Sequence, residues 1–293
     1  MALILPAYAK LNLTLDVLGS RPNGYHEIDS VMQTISLHDL IWIERTDCRV
    51  FELVGQAIEG ENLVLKAARE LEGHLSRALP FTIRLFKRIP MGAGLGGGSA
   101  DAAAFLKAAN RLYDLKLTAS ELTGIAAAVG QDVPFLLSGG TARATGLGSM
   151  VSPLPPVPSS WRFLVVCPSV EISTRAVYEA VDGSGASGRR TPALVASLQA
   201  PSLTLRQRGR DLPQGEDLVL FGNDLEGASR RLFPALDAAI GQLRAIVPEL
   251  TMSGTGSAFF ARFLHRSEAD AALAAVRQTG YPAWLCRPLA AEA

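Results

Sequence analysis

The sequence predicts an α+β chain in two domains. Three observations predict it: alternating apolar runs in both halves, helical spacings between those runs, and one proline-rich connection near the middle. Pro153-Leu154-Pro155-Pro156-Val157-Pro158 is a stiff, extended link. It divides the 293 residues into an N-terminal domain, 1–158, and a C-terminal domain, 159–293, each of ordinary size.

In the first half, Leu11, Leu13, Leu15 and Val17 alternate with Asn12, Thr14 and Asp16 as in a half-buried strand. That pattern puts Lys10 and Asn12 together on the opposite face. Arg21-Pro22-Asn23-Gly24 reads as a turn, because Asn-Gly favours positive φ. Tyr25 and His26 follow it directly. Strands are expected over 31–37, 40–45 and 49–54, then a helix over 62–75 burying Leu63, Ala67, Leu71 and Leu75. Phe81, Ile83 and Leu85 form the strand that leads into the most unusual stretch of the chain.

That stretch is Pro90-Met91-Gly92-Ala93-Gly94-Leu95-Gly96-Gly97-Gly98-Ser99-Ala100-Asp101, with five glycines in seven positions. The next residues have helical spacing, with Phe105, Leu106, Ala109 and Leu112 on one face and Ser99 as the expected N-cap. A glycine loop feeding a helix mouth gathers unpaired N–H groups and the positive end of the helix dipole, which suits phosphate. The loop lacks the Gly-Lys-Ser/Thr ending of a Walker A motif. A dinucleotide loop would want an acidic strand end about 20 residues on; Glu121, near that distance, lies instead in a helix start.

Thr118-Ala119-Ser120-Glu121 is a capping box, opening a helix with Leu122, Ile125, Ala126 and Val129 on one side. Gly130 is expected to close it as a left-handed C′ residue. Asp132 then falls in a loop just past the helix end. A strand is expected from Gly139-Gly140 through Ser149.

Beyond the prolines, Phe163–Cys167 reads as a buried strand, and Glu171-Ile172-Ser173-Thr174 caps a short helix carrying Tyr178. Residues 182–215 read as an excursion around a short helix near 192–199. Helices over about 223–245 and 267–278, with strands near 256–264 and 281–287, complete the second unit. Met252-Ser253-Gly254-Thr255-Gly256-Ser257 is a second small-residue loop.

Apolar residues make up 48% and charged residues 19%, with zero net charge. No global attraction to nucleic acid or an anionic membrane is expected, so an anion site has to be built locally. The opening residues do not resemble a signal peptide, and no apolar run reaches membrane-spanning length. Cys48, Cys167 and Cys286 are expected to be buried, reduced thiols in a cytoplasmic protein. A monomer or weak homodimer is expected.

Phosphoryl transfer to an alcohol needs a cation near the phosphates and a group to receive the hydroxyl proton. Lys10 and Asp132 qualify, although Lys10 equally reads as an edge-strand lysine reaching solvent and Asp132 as a loop cap. Tyr25 and His26 together suit a planar base, one by its π-face and the other by a ring-edge hydrogen bond. Tyr178 reads either as a second stacker or as core packing.

Four blocks occur in order: Ala7–Leu13 with Arg21–Glu27, the glycine loop, Gly130-Gln131-Asp132-Val133-Pro134-Phe135, and Ser253–Ser257. Together they resemble the motifs of the galactokinase, homoserine, mevalonate and phosphomevalonate (GHMP) kinase superfamily. The resemblance implies an N-terminal half like the second domain of ribosomal protein S5 and a ferredoxin-like C-terminal half. It implies ATP with Mg²⁺ as cofactors and transfer of the γ-phosphate to an alcohol. Gly24-Tyr25-His26 resembles the branch that acts on a cytidylyl alcohol, phosphorylating the 2-hydroxyl of its methylerythritol moiety in the non-mevalonate route to isoprenoids.

By that resemblance Asp132 would be the base and Lys10 would hold it and the developing charge. Pro90 through Ala100 would seat the phosphates, with Asn62 and Lys87 as further nucleotide contacts. Asn12 would lie beside the acceptor, while Tyr25, His26, Thr174 and Tyr178 would hold the cytidylyl end. Asn23 stands where the family commonly has Asp. No carboxylate is assigned to Mg²⁺; the Ser99 hydroxyl is a candidate, with ATP holding most of the ion. The rivals are a sibling kinase for mevalonate, homoserine or a sugar, and a non-catalytic nucleotide-binding regulator.

Overall fold

The computed structural model describes residues 2–22, 24–54, 61–181, 190–200 and 221–291. Its spine is a pair of long antiparallel strands, β1 (Ala2–Ser20) and β2 (His26–Arg45). The turn between them closes with Gly24 N–H donating to Arg21 O at 2.9 Å, and Gly24 takes the positive φ that its position demands. Asn23 lies outside the described residues.

Separate strands over 31–37 and 40–45 are not what forms. β2 runs unbroken through Asp39, because that fully buried carboxylate finds partners from outside the strand. It accepts from Ile89 N–H at 2.8 Å and from Arg88 N–H, and it pairs with Lys87. Next come β3 (Val50–Val54), α1 (Leu63–Leu75), β4 (Phe81–Phe86), α2 (Gly97–Leu112), α3 (Ala119–Val129) and α4 (Val133–Ser138). The expected strand after Gly140 becomes a hairpin, β5 (Thr141–Gly146) and β6 (Met150–Pro153), turned by Gly146 and Gly148.

The second half holds β7 (Arg162–Val166), α5 (Thr174–Val181) and α6 (Arg190–Gln199). The rest of the 182–215 excursion lies outside the described residues. β8 (Gly222–Asn223), α7 (Glu226–Leu232), α8 (Pro234–Arg244) and β9 (Thr251–Met252) follow. β10 (Phe259–Phe263), α9 (Arg266–Arg277) and β11 (Ala283–Cys286) complete the element order. A single helix over 223–245 does not form. Pro234 cannot continue a helix from the preceding turn, so it starts a new one. Residues 222–223 instead pair with β1 in parallel.

The first sheet runs β3-β4-β2-β1-β8, with β5 paired to β2 and β6 to β5. β4 takes residues 40–45 of β2 and β5 takes 28–33, leaving a gap between them. The C-terminal tail fills it: Leu289 N–H donates to Thr34 O at 2.9 Å, and Ser36 N–H to Arg287 O at 3.0 Å. The second sheet is antiparallel, β11-β7-β10-β9.

β1 serves both cores. Leu11 and Leu13 pack with Phe81, Phe105 and Phe135 in the first, while Leu15 and Val17 pack with Leu164, Ile240 and Phe259 in the second. Register shifts in the β1–β2 pairing fall between Tyr8 and Lys10 and between Asn12 and Thr14. Such irregularities re-aim side chains, and here they bracket Lys10 and Asn12.

Two smaller expectations also change. Gly130 caps α3 with extended backbone, φ −178°, not the left-handed form. Among the cysteines Cys167 and Cys286 are buried but Cys48 is exposed. No helix among the described residues is long and apolar enough to cross a membrane.

Candidate active site

Lys10 and Asp132 come together from opposite ends of the first domain. Lys10 is 4% exposed on β1, where its N–H donates to Leu95 O of the glycine loop at 3.0 Å. Asp132 stands at the N-cap of α4 without a side-chain capping bond, so its carboxylate is left for another partner. That partner is the Lys10 ammonium, with Nζ 3.4 Å from Oδ2. The lysine side chain is buried and the aspartate about one-third exposed, so the pair opens to solvent on the carboxylate side. Lys10 Nζ also donates to Asn12 Oδ1 at 2.7 Å, and Asn12 Nδ2 to Ser30 Oγ at 2.8 Å. Asn12 is expected beside an acceptor; both ends of its amide are engaged inside the protein.

The glycine loop lies against this pair. A Cβ on Gly96 would come 3.0 Å from Lys10 Cγ, so the bare backbone lets the lysine stem pass. Gly96, left-handed at φ +69°, is the N-cap of α2, which corrects the assignment of that role to Ser99. Ser99 lies inside the first turn. The first helical bond there is Ala100 N–H to Gly96 O, 2.8 Å, so the N–H groups of Gly97, Gly98 and Ser99 precede the helical ladder. Donors of this kind beside a buried ammonium can hold an anion.

The second small-residue loop locks onto the first. Ser253 Oγ donates to Gly94 O at 3.0 Å and accepts from Asn12 N–H at 3.2 Å, while Ala258 N–H donates to Ala93 O at 3.1 Å. One serine thus joins both loops to the strand carrying Lys10.

At the far end of β1, Tyr25 is 59% exposed and His26 is buried. The His26 and Tyr178 rings touch, with centroids 5.2 Å apart and planes tilted by 36°. A base between two rings needs about two stacking distances, and this is one, so Tyr178 does not face His26 across a gap. Burial, and after it the Asp132 carboxylate, raise the Tyr178 phenol above its ordinary pKa, which places this ring within reach of that carboxylate's field. Thr174, exposed at the start of α5, shares a hydrogen bond with Thr255 of the second loop at 3.1 Å.

Lys87, expected at the nucleotide, is buried between two carboxylates. Its ammonium pairs with Asp39 and lies 2.7 Å from Asp101 Oδ2. Asn62 caps α1, accepting from Val64 N–H at 2.8 Å, and retains its NH₂ for other partners.

Sequence reasoning missed Ser30, the bridging role of Ser253, and the Asp39–Lys87–Asp101 cluster. Ser253 was visible as part of the second small-residue loop, and the cluster as charges inside otherwise apolar stretches; Ser30 left no trace. Among the described residues no group of three or more His, Cys, Asp or Glu could hold a metal ion.

Comparison with known proteins finds relatives over nearly the whole chain. The family models described as GHMP kinases N terminal domain and GHMP kinases C terminal match residues 62–140 and 203–282. A 4-diphosphocytidyl-2-C-methyl-D-erythritol kinase of Moorella thermoacetica is 42% identical over 265 residues, covering 88% of this chain and 89% of that protein. The protein of the same name from Salinispora arenicola is 39% identical over 274 residues, covering 90% and 83%. A crystal structure of 4-(cytidine 5'-diphospho)-2C-methyl-D-erythritol kinase superposes with a TM-score of 0.78 at 33% identity, over 98% of this chain and 99% of that one. A mevalonate kinase, 14% identical with a TM-score of 0.68 over 98% and 99%, shares the fold.

Proposed function

Because the chain belongs to the 4-diphosphocytidyl-2-C-methyl-D-erythritol kinases of the GHMP family, we propose that Lys10 and Asp132 carry its phosphoryl transfer. The protein is an ATP-dependent small-molecule kinase with the GHMP fold. In our reading the acceptor is the 2-hydroxyl of the methylerythritol moiety, in the non-mevalonate route to isoprenoids.

The 3.4 Å Lys10–Asp132 contact beside the glycine loop supports that assignment. Asp132 receives the hydroxyl proton as the alcohol oxygen bonds to the γ-phosphorus and the bond from that phosphorus to the β,γ-bridging oxygen breaks, releasing ADP. Lys10 keeps the carboxylate aimed, and offers a charge to the transferring group. The N–H groups of 97–99 seat the phosphates at the positive end of α2. Transfer of this type asks for positioning and charge stabilisation more than covalent chemistry. Mg²⁺ would neutralise charge on the phosphates, with the Ser99 hydroxyl as a candidate ligand and ATP holding most of the ion.

Tyr25 and His26 recognise the cytosine, with the base on the exposed Tyr25 face and His26 at its edge. Tyr178 backs the His26 ring. A sibling kinase for mevalonate, homoserine or a sugar has no evident use for that pair, and membership in an enzyme family sets aside the non-catalytic regulator. The deciding measurement is a coupled assay of ADP release with ATP and the cytidylyl alcohol against mevalonate, homoserine and a sugar. Turnover confined to the cytidylyl alcohol is expected; preference for any of the others overturns the assignment.

A further inference from the structure

Resting on that reading of Lys10 and Asp132, we propose that Ser30 is a positioning residue for the transfer, acting through Asn12. Its hydroxyl fixes which way the Asn12 amide points, and the amide fixes the ammonium. The direction of each bond follows from what each atom is able to do. Thr14 O is a carbonyl and only accepts, so the Ser30 hydroxyl, 2.5 Å away, gives its proton there. Ser30 Oγ is then the acceptor toward Asn12, and the atom 2.8 Å from it is the amide nitrogen. The amide oxygen is therefore turned to Lys10 Nζ at 2.7 Å.

Reversal of the amide would set N–H groups against an ammonium, donor against donor. Thr14, Asn12, Ser30 and Lys10 are all at least nine-tenths buried, so water does not take over any of these bonds. The base of the relay is itself held, since Thr14 Oγ1 accepts from Val31 N–H at 3.0 Å and lies 2.8 Å from the oxygen of Thr191, whose own proton goes to the Asp29 carbonyl. Lys10 carries three N–H donors. Asn12 and Asp132 take two, and in this proposal the third serves the transferring group.

Ser30→Thr and Ser30→Val differ in one hydroxyl and share one shape, so any cost of the added methyl is common to both. The expected result is a kcat for the Val variant about 10- to 100-fold below that of the Thr variant, with KM for ATP within about twofold. In an Asn12→Ala background the Thr/Val difference should vanish, as a residue acting only through Asn12 requires. Equal kcat in the two variants overturns the proposal, and so does a difference that persists undiminished without Asn12. Should the branched side chains prevent folding, Ser30→Ala against the parent gives the same contrast, and the same two results overturn the proposal. Lys10→Met, measured alongside, separates the two levels. If it keeps near-normal turnover, the Lys10–Asp132 reading fails; if it collapses while the Thr and Val variants match, only the relay fails.

Discussion

Gly94 and Ser253 meet backbone to backbone. A Cβ at position 94 would overlap the Ser253 carbonyl oxygen and come 3.2 Å from Gly256 O, and Gly94 already holds φ +73°. The two loops, one from each sheet, touch there because position 94 has no side chain. Gly94→Ala therefore meets two penalties: a left-handed backbone costs a non-glycine residue about 1–3 kcal/mol, and the overlap forces the loops apart. The variant is expected to melt several degrees lower and to lose ATP affinity. Unchanged ATP binding would show that loop contact is not what shapes the phosphate seat. Gly124→Ala is the control, since nothing lies within 4 Å of its added Cβ.

Asp132→Asn removes the proton acceptor and keeps the shape. If Asp132 is the base, turnover falls roughly 10²–10⁴-fold with ATP affinity preserved. Lys10→Met is expected to lose about 10²–10³-fold in kcat, as for the removal of one preorganised charge-stabilising donor. The two residues touch, so the double variant should be little worse than the more damaged single one. Steady-state rates with ATP titrated by fluorescence check all three; near-normal turnover of Asp132→Asn would end its assignment as base.

How much of this was legible in the residues follows from sequence distance. The glycine loop, the capping box at Thr118 and the α3–α4 connection carrying Asp132 are local patterns, and each formed close to its expected place. Lys10 and Asn12 share a strand face, which is again local. Partners brought from elsewhere left little sign. Asp39 looks like a break in a strand until Lys87 and two N–H groups, 48 to 50 positions away, satisfy it. The resemblance puts Lys87 at the nucleotide, and nothing near it in sequence announces the two buried carboxylates that hold its ammonium. Ser30 lies 18 residues from Asn12 and carried no motif. Pro234 is a local signal, and it splits the helix around it.

His26→Ala tests the cytidylyl end. Loss of a ring-edge hydrogen bond and an aromatic contact should raise KM for the cytidylyl alcohol roughly tenfold and leave KM for ATP nearly unchanged. Tyr178 rests on His26, so Tyr178→Ala should produce a smaller effect in the same direction. Equal weakening of both substrates would move His26 out of the acceptor site.

The Asp39–Lys87–Asp101 cluster sets a pH dependence of stability. Two carboxylates and one ammonium sum to one negative charge, and the site is buried. Asp101 Oδ1 has no hydrogen-bond partner among the described residues, so a charge there is poorly solvated. Burial first, and the Asp39 charge as well, push the Asp101 carboxyl up to about 8 against the opposing pull of Lys87. Burial alone would lower the Lys87 ammonium, yet the two carboxylates outweigh it and hold its pKa above the ordinary value. A carboxyl with a raised folded pKa holds a proton that the unfolded chain releases near pH 4. Its contribution to stability is complete below that unfolded value and is lost as pH rises through about 8. The urea midpoint should therefore decline from mildly acidic pH to pH 9, and Asp101→Asn, neutral throughout, should flatten that decline. Lys87 adds the same sign only above its ordinary pKa, outside this range. A parent midpoint that is level between pH 6 and 9, or an Asp101→Asn curve with the parent's slope, would place the ionisation elsewhere.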